Sequence, residues 1–423
     1  MLYERWCQIA AEHRRELALR DAASGRRWTF AELKADAESL PAGDGRIIHP
    51  RGHGPGFVLA VLAAWRSGKV VCPLEPEQAA RKFLEPPANC IHLKTTSATT
   101  GAARSVAFQA SQLAADAENI VGTMGLRPDW PNLGVISMAH SYGFSNLVLP
   151  LLLHGIPLIL APSPLPEAIR LAAQGEPPIT LAGVPALWRA WHEAGAIPPN
   201  ARLAISAGAP LPLALEREIL AKQELKIHNF YGSTECGGIA YDASNSTRDD
   251  DACVGAPMSN VNLSLDDNGC LIVRGRAVGE TYWPEPADTL GAGRFRTSDL
   301  AEIKDGLVYL RGRVSEQINV AGRKVSPLVV ERALIQHPAV RGCVVFGVPD
   351  RDSGRAETIV ACVVANLPVT SEALRTFLGE RIPAWQVPRE WRFVDSLSEN
   401  QRGKISRSEW RQRFLEAAQK SAA

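Results

Sequence analysis

At 423 residues, with 46% hydrophobic and 22% charged residues, the chain is too long for one ordinary domain and carries core material for about two or three. Its net charge of +1 makes no electrostatic case for a nucleic acid or an anionic membrane as partner. The eight cysteines (Cys7, Cys72, Cys90, Cys236, Cys253, Cys270, Cys343, Cys362) are scattered, without a CxxC pair or a zinc pattern, so they read as isolated thiols of the reducing cytoplasm.

The first residues, MLYERWCQIAAEHRREL, lack the apolar centre of a secretion signal. Residues 57–74 read as a helix, a stop at Gly68 and a short buried strand. From Pro131 to Pro166 there is no Asp, Glu, Lys or Arg, but Gly143, Pro150, Gly155 and Pro157 interrupt the run. It therefore predicts buried α/β core and no membrane span. Within it, 133–140 and 156–161 read as strands around a helical FSNLVLPLLLHG. ITLAGVPALWRAWHEAG and ARLAISAGAPLPLALEREILAK repeat strand then helix, and LKIHNFYGSTE opens another strand. Units of this length predict a largely parallel sheet covered by helices. After Thr247 the pattern changes to hairpins, turning at Asn268-Gly269 and at Asp305-Gly306. Near residue 311 it restarts, with the helix PLVVERALIQHP, the strands GCVVFGV and TIVACVVA, and two further helices. The expected fold is α/β: a large N-terminal domain of parallel βα units with a β-rich portion, then a small, mobile α+β domain.

One stretch carries chemistry on its face. HLKTTSATTGAARSVAF (92–108) puts the hydroxyls of Thr95, Thr96, Ser97, Thr99 and Thr100 before Gly101, with Arg104 just beyond. Such hydroxyls bond local backbone in surface loops. They also hold phosphate oxygens, with backbone N–H groups and a cation helping. Taken alone, the stretch supports both readings equally. Singly, Lys404 reads as an exposed turn lysine, Glu235 as a helix-start residue, Asp299 as a cap and Arg313 as a surface arginine. His140 reads equally as a core histidine or a pocket residue, and GHGPG (52–56) has the wrong spacing for a dinucleotide fingerprint, so it reads as a loop.

Five separated motifs together remove that ambiguity. They are Thr96-Ser97-Ala98-Thr99-Thr100-Gly101 with Arg104, Tyr231-Gly232-Ser233-Thr234-Glu235, Thr297-Ser298-Asp299, Gly312-Arg313 with Ile318 and Gly322, and Gly403-Lys404-Ile405-Ser406-Arg407. In this order the chain resembles the adenylate-forming enzymes: acyl- and aryl-CoA synthetases, peptide-synthetase adenylation domains and luciferases. The resemblance runs from WTFAEL (28–33) to Arg407 and is to a compact, stand-alone acyl- or aryl-CoA synthetase.

The resemblance implies an acid–thiol ligase; the alternatives are an adenylate former with a non-thiol acceptor and, given Ala98 and the shortened N-terminal domain, a degenerate nucleotide-binding module without turnover. A carboxylic acid and ATP give an acyl-adenylate and pyrophosphate, and the thiol of CoA or of a carrier protein's phosphopantetheine then takes the acyl group. It implies that Thr96, Ser97, Thr99, Thr100 and Gly101 wrap the phosphates, with Arg104 supplying charge. Glu235 would hold Mg²⁺ and Thr234 the α-phosphate. Gly208, Asn229, Tyr231 and Gly232 would surround adenine, Asp299 would accept the ribose hydroxyls, and Arg313 would meet the ribose and phosphate side. His140, Tyr142, Gly143, Ser206 and Ala207 would line the acid pocket. Lys404 would bridge the acid and α-phosphate, then leave as the C-terminal domain swings about Ser315 and Gly322 enters to shape a thiol tunnel. The implied organisation is an N-terminal domain at 1–312, a hinge at 313–317 and a mobile domain at 318–423. Partners would be a small acid and CoA or a separate carrier protein, with no nucleic acid and no membrane span. The sequence departs from the family at Ala98 (usually Gly), Ala103 (usually Pro), Ser315 and Asn319. The spacing between CPLEP and the hydroxyl loop is short, which predicts a trimmed N-terminal domain.

Overall fold

The computed structural model describes residues 1–41, 43–80, 85–96, 104–350, 357–397 and 406–420. Among them the dominant element is a sheet of 14 strands. One side of it is parallel, running Ile227–Ser233, Ala201–Ser206, Ile179–Gly183, Asn132–Gly134, Leu158–Leu160 and Leu17–Asp21. Arg27–Thr29 closes that edge antiparallel. Ile179–Gly183 and Leu158–Leu160 are buried throughout, as expected where helices cover both faces of parallel strands.

The β-rich portion is not a separate layer. Gly237–Tyr241, Cys253–Pro257, Leu307–Arg313, Arg294–Lys304, Cys270–Arg274 and Asn262–Leu265 extend the same sheet, each antiparallel to the last. The predicted hairpins are present. Asp305 and Gly306 both have positive φ, 53° and 76°, which suits the tight turn joining Lys304 to Leu307. One expectation is corrected: the strand foreseen at 133–140 ends at Gly134. A Cβ at Gly143 would lie 2.0 Å from the Ser137 carbonyl oxygen, so the next helical turn sits directly on 135–140 and holds it off the sheet.

A second sheet of five strands is ordered Thr281–Trp283, Ser105–Phe108, His92–Thr95, Val70–Val71, Ile47–Ile48, and its second and third members pair antiparallel with Thr95 opposite Ser105. The C-terminal unit has its own three-stranded sheet, Val340–Pro349, Glu357–Ala365 and Glu390–Phe393, and a small hairpin, Ile318–Val320 with Arg323–Val325. Its apolar clusters share no residue with that of the larger unit. Among the described residues no helix is long and apolar enough to cross a membrane.

A closed ionic network joins the parallel and antiparallel parts. Glu216, fully buried, accepts from Lys226 Nζ (2.5 Å) and Arg248 Nε (2.8 Å), and Lys226 also donates to Asp242 (2.7 Å). Removing one cation strands a buried carboxylate. Arg248→Ala should therefore lower stability by about 3–5 kcal/mol, read from urea unfolding; a loss under about 1 kcal/mol would mean that Lys226 alone suffices.

His53, His92, His154 and His228 have their pKa lowered, by burial first in each case. In the unfolded chain they return to about 6.5. Below that value the unfolded state binds more protons, so stability present above about pH 6.5 is lost as the pH falls toward the folded values. The slope should reach about 1.4 kcal/mol per pH unit for each histidine kept neutral. Equal urea midpoints at about pH 7.5 and 5.5 would contradict this.

Candidate functional site

The candidate residues gather at the C-terminal ends of the parallel strands, where α/β sheets bind ligands. Ile227–Ser233 ends in Tyr231, Gly232 and Ser233, and Thr234 and Glu235 form the turn that follows. A Cβ at Gly232 would lie 2.6 Å from the Gly237 carbonyl oxygen, so the tight return of the chain requires glycine. Glu235 N–H is held by Ser233 Oγ (3.2 Å), and the Glu235 carbonyl accepts from Gly279 N–H (2.8 Å).

The hydroxyl hairpin closes beside this turn. Thr96 and Arg104 pair at its base: Thr96 N–H donates to the Arg104 carbonyl (2.8 Å) and Arg104 N–H to Thr96 Oγ1 (3.2 Å). Between them Ser97, Ala98, Thr99, Thr100 and Gly101 lie outside the described residues. The Arg104 guanidinium sits 5.6 Å over the ring of Tyr282, whose hydroxyl donates to Glu235 Oε1 (2.9 Å). Burial first, then Glu235, pushes the Tyr282 phenol up, so it stays a donor. A carboxylate with one oxygen fixed by Tyr282 keeps the other for a hard cation, which suits Mg²⁺ held jointly with substrate phosphates. Among the described residues no group of three or more His, Cys, Asp or Glu forms a separate metal cage.

On the other flank, Asp299 is gripped at both oxygens. Tyr231 donates to Oδ2 (2.5 Å) and Arg313 Nε to Oδ1 (2.8 Å), while Thr297 Oγ1 accepts from Asp299 N–H (3.0 Å). Asp299 holds the Arg313 pKa above its ordinary value, and burial followed by Asp299 raises that of Tyr231 well above its own. Each carboxylate oxygen retains a second lone pair, so a ribose diol can join these donors without displacing them. Asn229 donates its amide to the Cys253 carbonyl (3.1 Å), leaving its oxygen as the acceptor end. Gly208 has φ +88°, a backbone demand in place of a packing one.

The acid-pocket candidates divide. Tyr142 reaches across two strand ends, its hydroxyl 3.4 Å from the Gly183 carbonyl and 3.3 Å from that of Ile205, its ring 5.9 Å from Phe230. Gly143 has no room for a side chain. Ala207 donates its N–H to the Gly183 carbonyl (3.2 Å). Ser206 pairs in register with Gly183, whose missing Cβ would meet Trp191 at 2.9 Å, so its buried hydroxyl shares the tryptophan-packed face. His140 Nε2 lies 2.9 Å from Glu75 Oε1, which also accepts from Ser137 Oγ (2.5 Å).

Ser315 occupies a short turn, Val314–Glu316, between Arg313 and Glu316. Gly322, φ +86°, sits at the tip of the small C-terminal hairpin, its N–H held by Asn319 Oδ1 (3.0 Å). Lys404 lies outside the described residues. Tyr282, Glu75 and the buried Lys94 were not singled out from sequence. Only Lys94 left a signal there, as a charge inside a strand-like run.

Two family models match the chain: AMP-binding enzyme over residues 82–283 and AMP-binding enzyme C-terminal domain over residues 329–404. The probable 2-succinylbenzoate–CoA ligase of Mycobacterium tuberculosis is 29% identical over 337 residues, 76% of this chain and 83% of that protein. The fatty acid–[acyl-carrier-protein] ligase ScoC of Streptomyces coeruleorubidus is 32% identical over 233 residues, 50% of this chain and 44% of its own length. The chain spans under half the length of several curated relatives that it matches, 43 to 46%. In structure it is similar to ATP-bound MatB from Rhodopseudomonas palustris, with a TM-score of 0.85 at 21% identity, covering 98% of this chain and 99% of that one.

The Tyr282–Glu235 bond generates a test. Tyr282→Phe keeps the ring beneath Arg104 and removes only the donor. With Glu235 as a magnesium ligand, the Mg²⁺-dependent gain in ATP affinity should fall by about 10- to 100-fold. ATP affinity without Mg²⁺ should be unchanged; an equal loss in both titrations would place Tyr282 at the phosphates instead.

Proposed function

The chain belongs to the adenylate-forming (AMP-binding) enzyme superfamily, and we propose that it activates a carboxylic acid with ATP to an acyl-adenylate and pyrophosphate, then transfers the acyl group to a thiol. The observation that supports this best is convergence. Arg104, Tyr282 and Glu235 form one polar group and Tyr231, Asp299 and Arg313 a second, and the single segment Tyr231–Glu235 carries a member of each.

The acid carboxylate and the α-phosphate are both anions, so their approach is opposed until charge is screened and geometry fixed. In this reading Arg104 and the hydroxyl loop hold the triphosphate, and Glu235 would hold a Mg²⁺ ion that would offset part of its charge. Thr234 donates to the α-phosphate, and Tyr231, Asn229 and Gly208 bound the adenine. Asp299 accepts the ribose diol while Arg313 and Tyr231 hold that carboxylate in place. His140, Tyr142, Gly143 and Ala207 shape the acid pocket, and Ser206 supports its floor from the core side. Lys404 supplies the last positive charge between carboxylate and phosphate. The domain of residues 318–423 then turns about Ser315, bringing Gly322 toward the thiol's path, with the larger domain ending at 312. Two half-reactions, one needing water excluded and one needing a thiol admitted, favour such motion. The matched relatives are named for CoA and for a carrier protein, so the acceptor here is one of these two thiols.

Pyrophosphate exchange across a panel of acids tests the first step, and product mass with CoA against a phosphopantetheinylated carrier protein tests the second. Exchange with at least one acid is expected; nucleotide binding without exchange for any acid would reduce the protein to a nucleotide-binding module. Glu235→Gln should lower exchange strongly at limiting Mg²⁺ while leaving the fold intact. Lys404→Ala should lower adenylation by roughly 10²- to 10³-fold, the usual cost of one transition-state donor, and leave thioester formation from pre-made acyl-adenylate little changed. Equal loss in both halves would replace the two-pose scheme with a single fixed site.

A further inference from the structure

Beneath the strand-end cluster lies a charged group that the mechanism above does not use. Lys94, on His92–Thr95, is almost wholly buried, with its ammonium 3.3 Å from Asp116 Oδ2, 3.0 Å from Ser145 Oγ and 4.8 Å above the ring of Phe108. Ser145 Oγ donates to the same Asp116 oxygen (2.6 Å), and the other oxygen accepts from Gly238 N–H (3.3 Å). A Cβ at Gly237 would fall 1.9 Å from Asp116 Oδ1, so the chain passes the carboxylate as closely as glycine permits.

Each partner belongs to a different functional segment. Lys94 precedes Thr96 at the base of the hydroxyl hairpin. Gly237 and Gly238 follow the turn that carries Thr234 and Glu235. Ser145 lies in the π-helical turn Phe144–Val148, which continues the segment holding His140, Tyr142 and Gly143. Wide turns of this kind recur at functional sites. The phosphate, metal and acid segments thus share one buried carboxylate and one buried ammonium.

A buried ion pair is weak evidence for stability, because apolar residues of the same volume often serve as well or better. What charged hydrogen bonds add is direction: they fix each segment in one register, where apolar packing tolerates slippage. We propose that Lys94 is a positioning residue that, through Asp116, holds the acid segment and the two nucleotide segments in line for attack on the α-phosphate. This rests on the adenylation reading.

The test uses the full chain with Lys94→Met and with the shape-conserving pair Lys94→Met/Asp116→Asn, which leaves no buried unpaired charge. Pyrophosphate exchange is measured with the best acid alongside thermal unfolding. A shift of about 1 Å in reacting groups costs on the order of 10² in rate. The double variant should therefore lose about 10- to 100-fold in kcat, with KM for ATP and for the acid within about threefold of wild type and its melting temperature held. Wild-type kcat in a folded double variant overturns the proposal, and so does a double variant that does not fold, since the pair would then serve folding alone. Where Lys94→Met does not fold, the double variant decides. Wild-type protein that exchanges with no acid overturns the adenylation reading, and the proposal with it. A variant that differs from an active wild type in melting temperature alone overturns only the proposal.

Discussion

A carboxylate sealed from water must be met by cations and N–H donors on every side, and Glu216 imposes that condition on this fold. It sits on the helix Leu213–Gln223 and draws in Lys226 and Arg248 from opposite ends of the segment that follows. Arg248 then spends its remaining donors on the carbonyls of Leu211 (2.7 Å) and Cys253 (2.8 Å). The Leu211 bond fixes the loop that leaves Ser206, Ala207 and Gly208 at the strand end. The Cys253 carbonyl is the one that also receives the Asn229 amide. The side of the site proposed to bound adenine is thus an outer layer of the same buried network. Burial of one ion determines where a loop, a strand and a polar side chain must stand.

Another buried carboxylate, Asp116, does the corresponding work on the side proposed to hold phosphate, but through a different topology. The hydroxyl hairpin belongs to the five-stranded sheet, whereas Glu235 follows a strand of the large one. What brings them together is the chain's return at Thr281–Trp283, which pairs antiparallel with Ser105–Phe108 and so lays Tyr282 between Arg104 and Glu235. Gly279 makes that return possible: a Cβ there would lie 2.5 Å from Val106 and 3.1 Å from the Glu235 carbonyl oxygen. Between Cys270–Arg274 and Arg294–Lys304 the chain makes an excursion from the large sheet into the five-stranded one. It delivers the tyrosine that joins a proposed phosphate-binding cation to a proposed metal ligand.

Much of this was legible in the sequence, where a local pattern has a local cause. Turns at Asn268-Gly269 and Asp305-Gly306 follow from residues that tolerate positive φ, and the strand–helix repeats follow from apolar runs of the right length. Motif order singled out Arg104, Glu235, Tyr231, Asp299 and Arg313, and the structure joins Arg104 to Glu235 through Tyr282 and Tyr231 to Arg313 through Asp299. The rest depended on contacts that no short window contains. Glu75 meets Ser137 and His140 only after the chain has crossed the sheet, and Tyr282 lies far in sequence from the carboxylate it holds. Ser206 shows a subtler limit. The loop sequence places it at the strand end, but the register with Gly183 decides its face, and that face belongs to Trp188 and Trp191. The strand foreseen through His140 failed for the same reason: Gly143 packs on the Ser137 carbonyl, a contact set by the helix that follows.

The junction of the two units is built on another principle again. From Asp299 a line of alternating charges runs through Arg313 to Glu316 (4.0 Å), then to Arg407, then to Glu331 (2.5 Å) inside the C-terminal unit. Glu331 also accepts the Val345 N–H (2.8 Å), so the line ends on the C-terminal sheet. Arg313 is 43% exposed, and Glu316 and Arg407 are each 23% exposed, unlike the sealed ions at Glu216 and Asp116. Exposed pairs are individually weak, because water competes for both partners. That weakness suits the place. The apolar clusters on either side share no residue, and beside the segment that holds Ser315 these ion pairs join the units together with the Arg332 donation to the Leu310 carbonyl (2.8 Å). A junction sealed by apolar burial would have to expose that surface to water each time the smaller unit turned. One made of partly exposed charges can exchange ion pairs for hydration, and it begins at the carboxylate proposed to read the nucleotide.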